Sequence, residues 1–372
     1  MNDAIYLDYN ATAPLRPEAR DAMAAAMESY GNPSSVHRFG REARASLEQA
    51  RAGVAALVDR APAEVVFTAG GTEADAMALR GVASARILVS SIEHDAVLAA
   101  APNADRIAVG PDGRVNLDHL DALLRETTGP TVVSVMWANN ETGVIQPIAQ
   151  VLERVHAVGA LLHVDAVQGA GRLDPSVLSK ADLISLSAHK LGGPAGVGAL
   201  VVRDGVPLAP LLAGGGQEKG RRSGTENFIG IAGFAATATA VVADRPLEQD
   251  RLARLRDGME ERLRAVSPEL RVLGENALRL ANTSCLGLPG VAAETQVMAL
   301  DLDGIAVSAG SACSSGKVKR SHVLEAMLPA DPVGGQTIRV SLGWATTEAD
   351  IDRFVTAWGR MRNRLSPAVH AA

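Results

Sequence analysis

Short apolar runs rich in β-branched residues alternate with helix-length segments between about residues 60 and 205, and this alternation limits the possible fold more than any other feature. Buried strands are predicted over residues 64–69, 86–91, 131–137, 161–166, 182–188 and 198–202. Helical segments such as 72–83 and 147–158 separate most of them. This order predicts an α/β domain with a mostly parallel sheet and helices on both faces. Such sheets bind ligands at the carboxyl ends of their strands.

The last third of the chain has a different pattern. A helical stretch covers residues 229–266, and strands in LANTSC, IAVSAG and TIRVSLGW then alternate with helices, the last of them near 347–365. This pattern predicts a smaller α+β domain over residues 267–372. A length of 372 residues also favours two domains over a single core.

The composition is that of a soluble globular protein, with 47% hydrophobic and 21% charged residues. A net charge of −6 argues against a large nucleic-acid footprint, and two cysteines cannot build a disulfide framework. The opening MNDAIYLDYN lacks the basic start of a signal peptide, and the apolar stretch 230–243 is too short to span a bilayer. We therefore expect a cytoplasmic protein with no membrane or nucleic-acid partner.

Glycines and polar residues follow several of the predicted strands. Gly70 and Gly71 lead from a strand into a helix near Thr72, where free backbone N–H groups make an anion site, although a plain turn is the alternative. His94 follows the next strand, as either a structural or a catalytic residue. The segment WANNETG, over 137–143, follows another strand and is a turn by composition. No Walker loop or G-x-G-x-x-G motif is present.

A carboxylate and a lysine lie at the ends of two later strands, and together they indicate which kind of ligand the site could bind. Asp165 ends a strongly apolar strand, where it would either cap the next helix or pair with a cationic ring nitrogen. Lys190, one of five lysines, follows Ser187 and His189 at a glycine-lined strand end, where desolvation makes an amine nucleophilic. A Schiff-base lysine, an upstream aspartate and a glycine-capped anion site together indicate binding of pyridoxal phosphate.

Ten motifs, in order, make the chain resemble the class V, fold-type I pyridoxal-phosphate enzymes, and within them the cysteine desulfurases of the NifS/IscS-like branch. They are YLDYNATAP (6–14), GNPSSVHRFG (31–40), FTAGGTEAD (67–75), EHDAVL (93–98), NNETGVIQP (139–147), HVDAVQGAG (163–171), SLSAHKLGGPAGVGAL (185–200), RRSGTEN (221–227), SAGSACSSG (308–316) and IRVSLGWATTEADID (338–352). The resemblance implies a large domain over 14–250, built on a mostly parallel seven-stranded sheet, and a small α+β domain over 1–13 and 251–372.

The resemblance also implies a set of residues that would hold pyridoxal 5′-phosphate: Gly71, Thr72, His94, Asn140, Asp165, Gln168, Ser187, His189, Lys190 and, from the other subunit of a homodimer, Thr225. Lys190 would form the Schiff base, His94 would stack on the ring and move protons, and Asp165 would pair with the ring nitrogen. Gln168 would hydrogen-bond the ring hydroxyl, and Asn140 would lie near the ring and the substrate. The phosphate would be held by Thr72, Ser187, His189 and Thr225.

Two further residues complete the implied site. Arg339 alternates with Ile338 and Val340, so it faces away from the apolar side chains and would bind the substrate carboxylate; a surface arginine is the alternative. Cys313 would be the nucleophile that takes sulfur as a persulfide. Cys285, by contrast, alternates within a strand and is expected to be an inert core residue.

The implied reaction converts L-cysteine to L-alanine and passes sulfur through Cys313 to an acceptor or iron–sulfur scaffold protein. Two other functions remain open: a class V aminotransferase or lyase, which needs no thiol, and a cofactor-bound protein that mainly docks partners. No metal site is indicated. Ala76, Arg320 and residues 326–335 depart from the family pattern, and they bear on the acceptor and the cysteine loop more than on the chemistry.

Overall fold

The computed structural model describes residues 4–84, 86–310 and 320–365. Its strands are β1 (Ile5–Tyr6), β2 (Val65–Thr68), β3 (Arg86–Ser90), β4 (Asp105–Ile107), β5 (Thr131–Ser134), β6 (Leu161–Asp165), β7 (Leu183–Ser187), β8 (Gly198–Val202), β9 (Arg271–Val272), β10 (Thr283–Gly287), β11 (Ile305–Ala306), β12 (Ser308–Ala309) and β13 (Thr337–Ser341). Its α-helices are α1 (Pro17–Met27), α2 (Arg38–Ala56), α3 (Gly71–Gly81), α4 (Asp95–Ala100), α5 (Leu117–Arg125), α6 (Ile148–Ala157), α7 (Phe228–Val266), α8 (Ala293–Leu302), α9 (His322–Met327) and α10 (Glu348–Leu365).

Seven strands form one sheet in the order β2–β8–β7–β6–β5–β3–β4. Its adjacent pairs are parallel except for the two that involve β8, which runs antiparallel to β2 and β7. This confirms the predicted mostly parallel, seven-stranded sheet. The strand β4 has no counterpart among the predicted strands, because it is only three residues long and two of them are exposed polar residues.

Helices cover both faces of this sheet, as the strand–helix alternation predicts. One face packs against α2, α5, α6 and the first part of α7, through side chains such as Leu47, Leu120 and Phe234. The other face packs against α3 and α4, through side chains such as Met77 and Val97. Because both faces are buried, the strands other than β4 are mostly apolar along their length.

A second core lies in the C-terminal third of the chain. It contains a four-stranded antiparallel sheet in the order β12–β13–β10–β9. Phe354 and Trp358 of α10, together with Met259 of α7, fill its centre. The strand β1 pairs with β11 in parallel, so the first described residues pack with this second core. The domain boundaries at 13/14 and 250/251 stay a prediction.

The helix α7 joins the two cores. Its 39 residues begin against α1 and α2 and end in the second core, and Pro246 lies inside it, near the change from one core to the other. Among the helices of the described ranges, α7 alone is long and apolar enough to cross a membrane by length and composition. Its contacts with both cores are those of a core helix.

Candidate functional site

A cleft opens at the carboxyl ends of the large sheet, where it meets the second core. Its lining includes ten of the residues predicted from the sequence: Gly71, Thr72, His94, Asn140, Asp165, Gln168, Ser187, His189, Lys190 and Arg339. The space between these residues is about 650 Å³, including the part that is open to solvent. Parallel strands bring these residues together because their carboxyl ends lie along one edge of the sheet.

One end of the cleft is suited to an anion. The helix α3 begins there at Gly71, and its first backbone N–H groups have no acceptor within the helix. A Cβ on Gly71 would lie 3.1 Å from Val167 Cγ2 and 3.6 Å from Ser187 Cβ, so the absence of a side chain keeps the backbone accessible between them. His189 also lines this end, and its Nδ1 lies 3.1 Å from Thr12 Oγ1. Burial lowers the pKa of His189 to about 4, which makes it a neutral imidazole.

Asp165 lies at the floor of the cleft, at the last position of β6. Its Oδ1 accepts a hydrogen bond of 2.9 Å from Val167 N. The residues after it form a turn and no helix, so Asp165 does not cap a helix. Burial raises the pKa of Asp165, while the charges of His94 and Lys190 lower it. A cation placed beside this carboxylate would therefore be strongly attracted in the low-dielectric floor.

Lys190 ends a short 3-10 turn after β7, and the N-terminal segment holds its side chain. Its Nζ donates hydrogen bonds of 2.9 Å to Asn10 O and 2.8 Å to Ala11 O. Its backbone oxygen accepts a hydrogen bond of 3.1 Å from Arg172 Nη2. The amine is thus oriented by two carbonyl groups at the edge of the cleft.

His94 caps α4 through its Nδ1, which accepts a hydrogen bond of 3.1 Å from Ala96 N. Burial lowers the pKa of His94, and the nearby charge of Lys190 lowers it further, while Asp165 raises it. The net shift favours a neutral ring at neutral pH. His94 is therefore a structural cap that also lines the cleft, and its catalytic role stays a prediction.

Gln168 lines the cleft, and Arg172, four residues further along the chain, contacts it without lining the cleft. Gln168 Nε2 donates a hydrogen bond of 3.0 Å to Asn10 O, and Gln168 Oε1 accepts one from Arg172 Nη1. Burial lowers the pKa of Arg172 to about 10. Asn10 and Arg172 were not predicted as site residues, although both lie in or beside motifs that were recognised.

Arg339 reaches the cleft from β13 in the second core. It is only 2% exposed, so it is not a surface arginine. Its Nη2 lies 2.7 Å from Asp8 Oδ1, its Nη1 donates a hydrogen bond of 3.1 Å to Asn140 O, and its Nε has no hydrogen-bond partner within the described residues. The adjacent Ile338 and Val340 pack in the second core, as the predicted alternation requires.

Of the two remaining predicted site residues, the structure describes only Thr225. Thr225 is exposed in the irregular segment before α7 and does not line the cleft of its own chain. Cys313 lies outside the described residues. Cys285 is fully buried in β10, and burial raises the pKa of its thiol to about 12, in agreement with an inert core residue.

Several buried polar residues near the cleft were not predicted as site residues. Asp75 lines the cleft, and Glu93 and His163 lie close behind it. A helical spacing could have indicated Asp75, since it lies one turn after Thr72 on α3. Within the described residues, no group of three or more histidine, cysteine or acidic side chains could hold a metal ion.

The departures from the family pattern lie away from the cleft. Ala76 packs against the core beneath α3, and Arg320 lies near Glu325 and donates a hydrogen bond to Asp331 O. Residues 326–335 end α9 and form a short 3-10 turn.

Comparisons of the sequence and of the fold with known proteins identify relatives of one family. The family described as "Aminotransferase class-V" matches residues 5–354. A cysteine desulfurase of Cereibacter sphaeroides is 43% identical over 95% of this chain and 94% of its own. A solved NifS-like protein from Rickettsia africae superposes with a TM-score of 0.88 at 32% identity, covering 97% of this chain and 99% of that one. The structure titled "SspA in complex with cysteine" matches with a TM-score of 0.78 at 27% identity, covering 91% and 98%.

Proposed function

Because this chain belongs to the aminotransferase class-V family, and within it to the cysteine desulfurases, we propose that its cleft binds pyridoxal 5′-phosphate and takes the sulfur of L-cysteine. The observation that carries the proposal is the placement of Lys190, Asp165 and the first turn of α3 around one cleft. An amine, a buried carboxylate and an anion site are the three groups that the aldehyde, the ring nitrogen and the phosphate of this cofactor require.

The residues of the cleft fit this cofactor. Its phosphate would lie at the start of α3, where Gly71, Thr72, Ser187 and His189 meet. The ring would lie over Asp165, with His94 and Gln168 beside it, and Lys190 would hold it covalently. Thr225 would reach the phosphate bound by the other subunit of a homodimer. When bound, the pyridoxal ring withdraws the electron pair that is released when the α-proton of an amino acid leaves.

The protein's own residues would orient the substrate and move its protons. The carbonyl groups of Asn10 and Ala11 hold Lys190 Nζ in one place, where the amine can accept or return a proton. His94 is neutral at neutral pH and can accept a proton in the same cleft. The carboxylate of Asp165 stabilises a protonated ring nitrogen.

Arg339 would bind the substrate carboxylate. It already contacts Asp8 and Asn140 O, and its Nε has no hydrogen-bond partner within the described residues. A planar guanidinium group gives two parallel hydrogen bonds to a carboxylate, which fixes the orientation of the amino acid. Asn140 would line the path between Arg339 and the ring.

Cys313 would be the sulfur acceptor. Its thiolate would attack the sulfur of L-cysteine, so that the S–Cβ bond of the substrate breaks and an S–S bond forms on Cys313. A proton is added at Cβ, and the products are L-alanine and a Cys313 persulfide. The sulfur would then pass to an acceptor protein, such as a scaffold for iron–sulfur clusters. We place this activity in the cytoplasm, in a homodimer whose subunits have a large domain over 14–250 and a small domain over 1–13 and 251–372.

The test is the release of alanine and sulfide from L-cysteine in the presence of a thiol reductant. Wild-type protein should release both in equal amounts. Cys313→Ser should release neither while keeping the yellow colour of the bound cofactor, and Cys285→Ser serves as the matched control that keeps activity. If Cys313→Ser is as active as wild type, the loop cysteine is not the nucleophile. If cysteine becomes a keto acid that keeps its sulfur while an added keto acid becomes an amino acid, the protein is an aminotransferase; pyruvate with sulfide and ammonia would indicate a lyase.

A further inference from the structure

A chain of buried polar side chains lies behind Asp165, under the floor of the cleft. Asp75, on α3, lines the cleft although it is only 2% exposed. His163 lies on β6, two residues before Asp165, and Ser185 pairs with Asp165 in the register of β6 and β7. Ser134, on β5, is fully buried beside them. The members of this chain come from four elements that the sheet brings together.

The contacts within this chain are continuous up to Asp75. His163 has a hydroxyl group at each ring nitrogen: Ser134 Oγ lies 2.9 Å from Nδ1, and Ser185 Oγ lies 2.9 Å from Nε2. Asp75 Oδ1 lies 3.6 Å from His163 Nε2 and has no hydrogen-bond partner among the described residues. Burial lowers the pKa of His163 to about 3. The imidazole is therefore neutral and cannot neutralise an ionised Asp75.

The charges around Asp75 also favour its protonated form. Burial raises the pKa of Asp75 well above its usual value, and the negative charge of Asp165 raises it further, while the Ser185 hydroxyl group acts in the opposite direction. Glu93, another buried carboxyl group, also feels the charge of Asp165. Such a buried cluster holds one negative charge far more easily than two or three. The hydrogen bond from Val167 N and the positive charge of Lys190 both favour the ionised form of Asp165, so we assign the negative charge to Asp165.

We propose that Asp75 is a positioning residue: its buried carboxyl group, next to His163 and on the same side of that ring as Ser185, keeps Asp165 in place as the single anion of the cleft floor. The inference rests on the proposed function, because the cation that Asp165 would meet is the ring nitrogen of pyridoxal 5′-phosphate. Asp75 and Asp165 both line this cleft. Without the Asp75 side chain, water would enter the floor and weaken the attraction between Asp165 and the ring.

The affinity of the apoprotein for pyridoxal 5′-phosphate tests this role. Asp75→Ala should weaken binding by about tenfold, because water that enters the floor would screen Asp165 from the ring nitrogen. Asp75→Asn keeps a neutral planar group of the same size, so it should bind within about threefold of wild type. Asp182→Asn is the matched control: Asp182 is also buried, but it lies just before β7, at the amino end of the sheet, and should not affect binding.

A second readout separates positioning from a general loss of folding. The visible absorbance of the lysine-bound cofactor should shift in Asp75→Ala and return to the wild-type position in Asp75→Asn. Ser185→Ala removes the hydroxyl group beside Asp75 and should weaken binding in the same direction, by about threefold. It also tests the idea if Asp75→Ala does not fold.

Three results would contradict the inference in different ways. Equal affinity of Asp75→Ala and wild type would show that Asp75 does not support the floor. Equal weakening by Asp75→Asn and Asp75→Ala would show that Asp75 acts as a second anion. If wild-type apoprotein takes up no pyridoxal 5′-phosphate, the proposed function fails and this inference fails with it.

Discussion

At the scale of single residues, the buried carboxyl group of Glu93 has a direct effect on stability. Glu93 is fully buried, and its Oε1 accepts hydrogen bonds from Ser90 Oγ at 2.5 Å and from Met136 N at 2.7 Å. Its Oε2 has no hydrogen-bond partner among the described residues. Burial raises the pKa of Glu93 to about 8, so the folded protein holds a proton that the unfolded chain releases at lower pH.

This proton makes the stability of the apoprotein depend on pH. Between the unfolded pKa of about 4.5 and the folded pKa of about 8, the unfolded state binds fewer protons, so stability falls as pH rises. Glu93→Gln does not titrate and should lose less stability over that range. We expect its free energy of unfolding, relative to wild type, to increase by about 1–3 kcal/mol between pH 5 and pH 7.5.

Urea unfolding of the apoprotein at the two pH values measures this difference. Glu153→Gln is the control, because Glu153 is exposed on α6 and should show no such change. A constant difference between Glu93→Gln and wild type at both pH values would show that Glu93 is ionised in the folded protein.

At the scale of elements, the turn over residues 139–143 connects the two cores. Asn139 Oδ1 accepts hydrogen bonds from Glu141 N and Thr142 N, and Gly143 N donates one of 2.9 Å to Asn139 O. Leu280 N, from the C-terminal third, donates a hydrogen bond of 2.8 Å to Gly143 O. The turn thereby fixes the backbone of Asn140, whose carbonyl group contacts Arg339.

Gly143 is required in this turn for two separate reasons. Its φ is +75°, and a Cβ there would lie 2.9 Å from Thr283 Cβ. Gly159, after α6, has a similar φ of +71° but open space around it. Gly159→Ala should therefore cost about 1–2 kcal/mol through backbone strain alone, and Gly143→Ala about 2–4 kcal/mol because overlap adds to the strain.

Urea unfolding of the two variants, compared with wild type, separates strain from overlap. Equal destabilisation by both variants would mean that Thr283 moves aside without cost.

The elements themselves were mostly predictable from the sequence. Six of the seven strands of the large sheet were predicted within about three residues, because strands buried on both faces are mostly apolar. The predicted strand over 131–137 ends at Ser134, although Val135 N and Trp137 N continue to bond to the neighbouring strand. The strand β4 lacks the apolar pattern, and only its pairing with β3 makes it a strand.

At the scale of the whole molecule, residues from both cores line the cleft. Most of its lining comes from the large sheet, whereas Arg339 comes from β13 in the second core. Asp8 holds Arg339 in place within the second core, since its Oδ1 contacts Arg339 and its Oδ2 accepts a hydrogen bond of 2.7 Å from Ser308 Oγ. Cofactor binding and substrate binding should therefore be separable by mutation.

Arg339→Lys tests this separation. A lysine cannot form two parallel hydrogen bonds to a carboxylate, so the KM for L-cysteine should rise by about tenfold or more, with a smaller change in kcat. The cofactor absorbance should stay, because Lys190 and Asp165 are unchanged. Arg262→Lys, on α7 and half-exposed, is the control and should behave as wild type. An unchanged KM in Arg339→Lys would place the carboxylate of the substrate elsewhere.

The sequence by itself determined the fold class, the position of the ligand cleft at the carboxyl ends of the strands, and most of the cleft residues. Buried strands are recognisable in a sequence by their runs of apolar residues. The residues that follow each strand can then be identified directly, because they are its neighbours along the chain. The motifs extended this to the family, which the comparisons confirmed.

Only the tertiary structure decided which distant groups meet. It placed Asn10 and Ala11 against Lys190, Asp8 against Arg339, and Asp75 against His163, over separations that no local pattern records. It also decided the protonation of the buried acids, since a carboxyl pKa depends on the solvent and charges that packing leaves around it. The physical reason is the same in each case: hydrogen bonds and electrostatic interactions depend on distance in space, whereas a sequence pattern describes only neighbours along the chain.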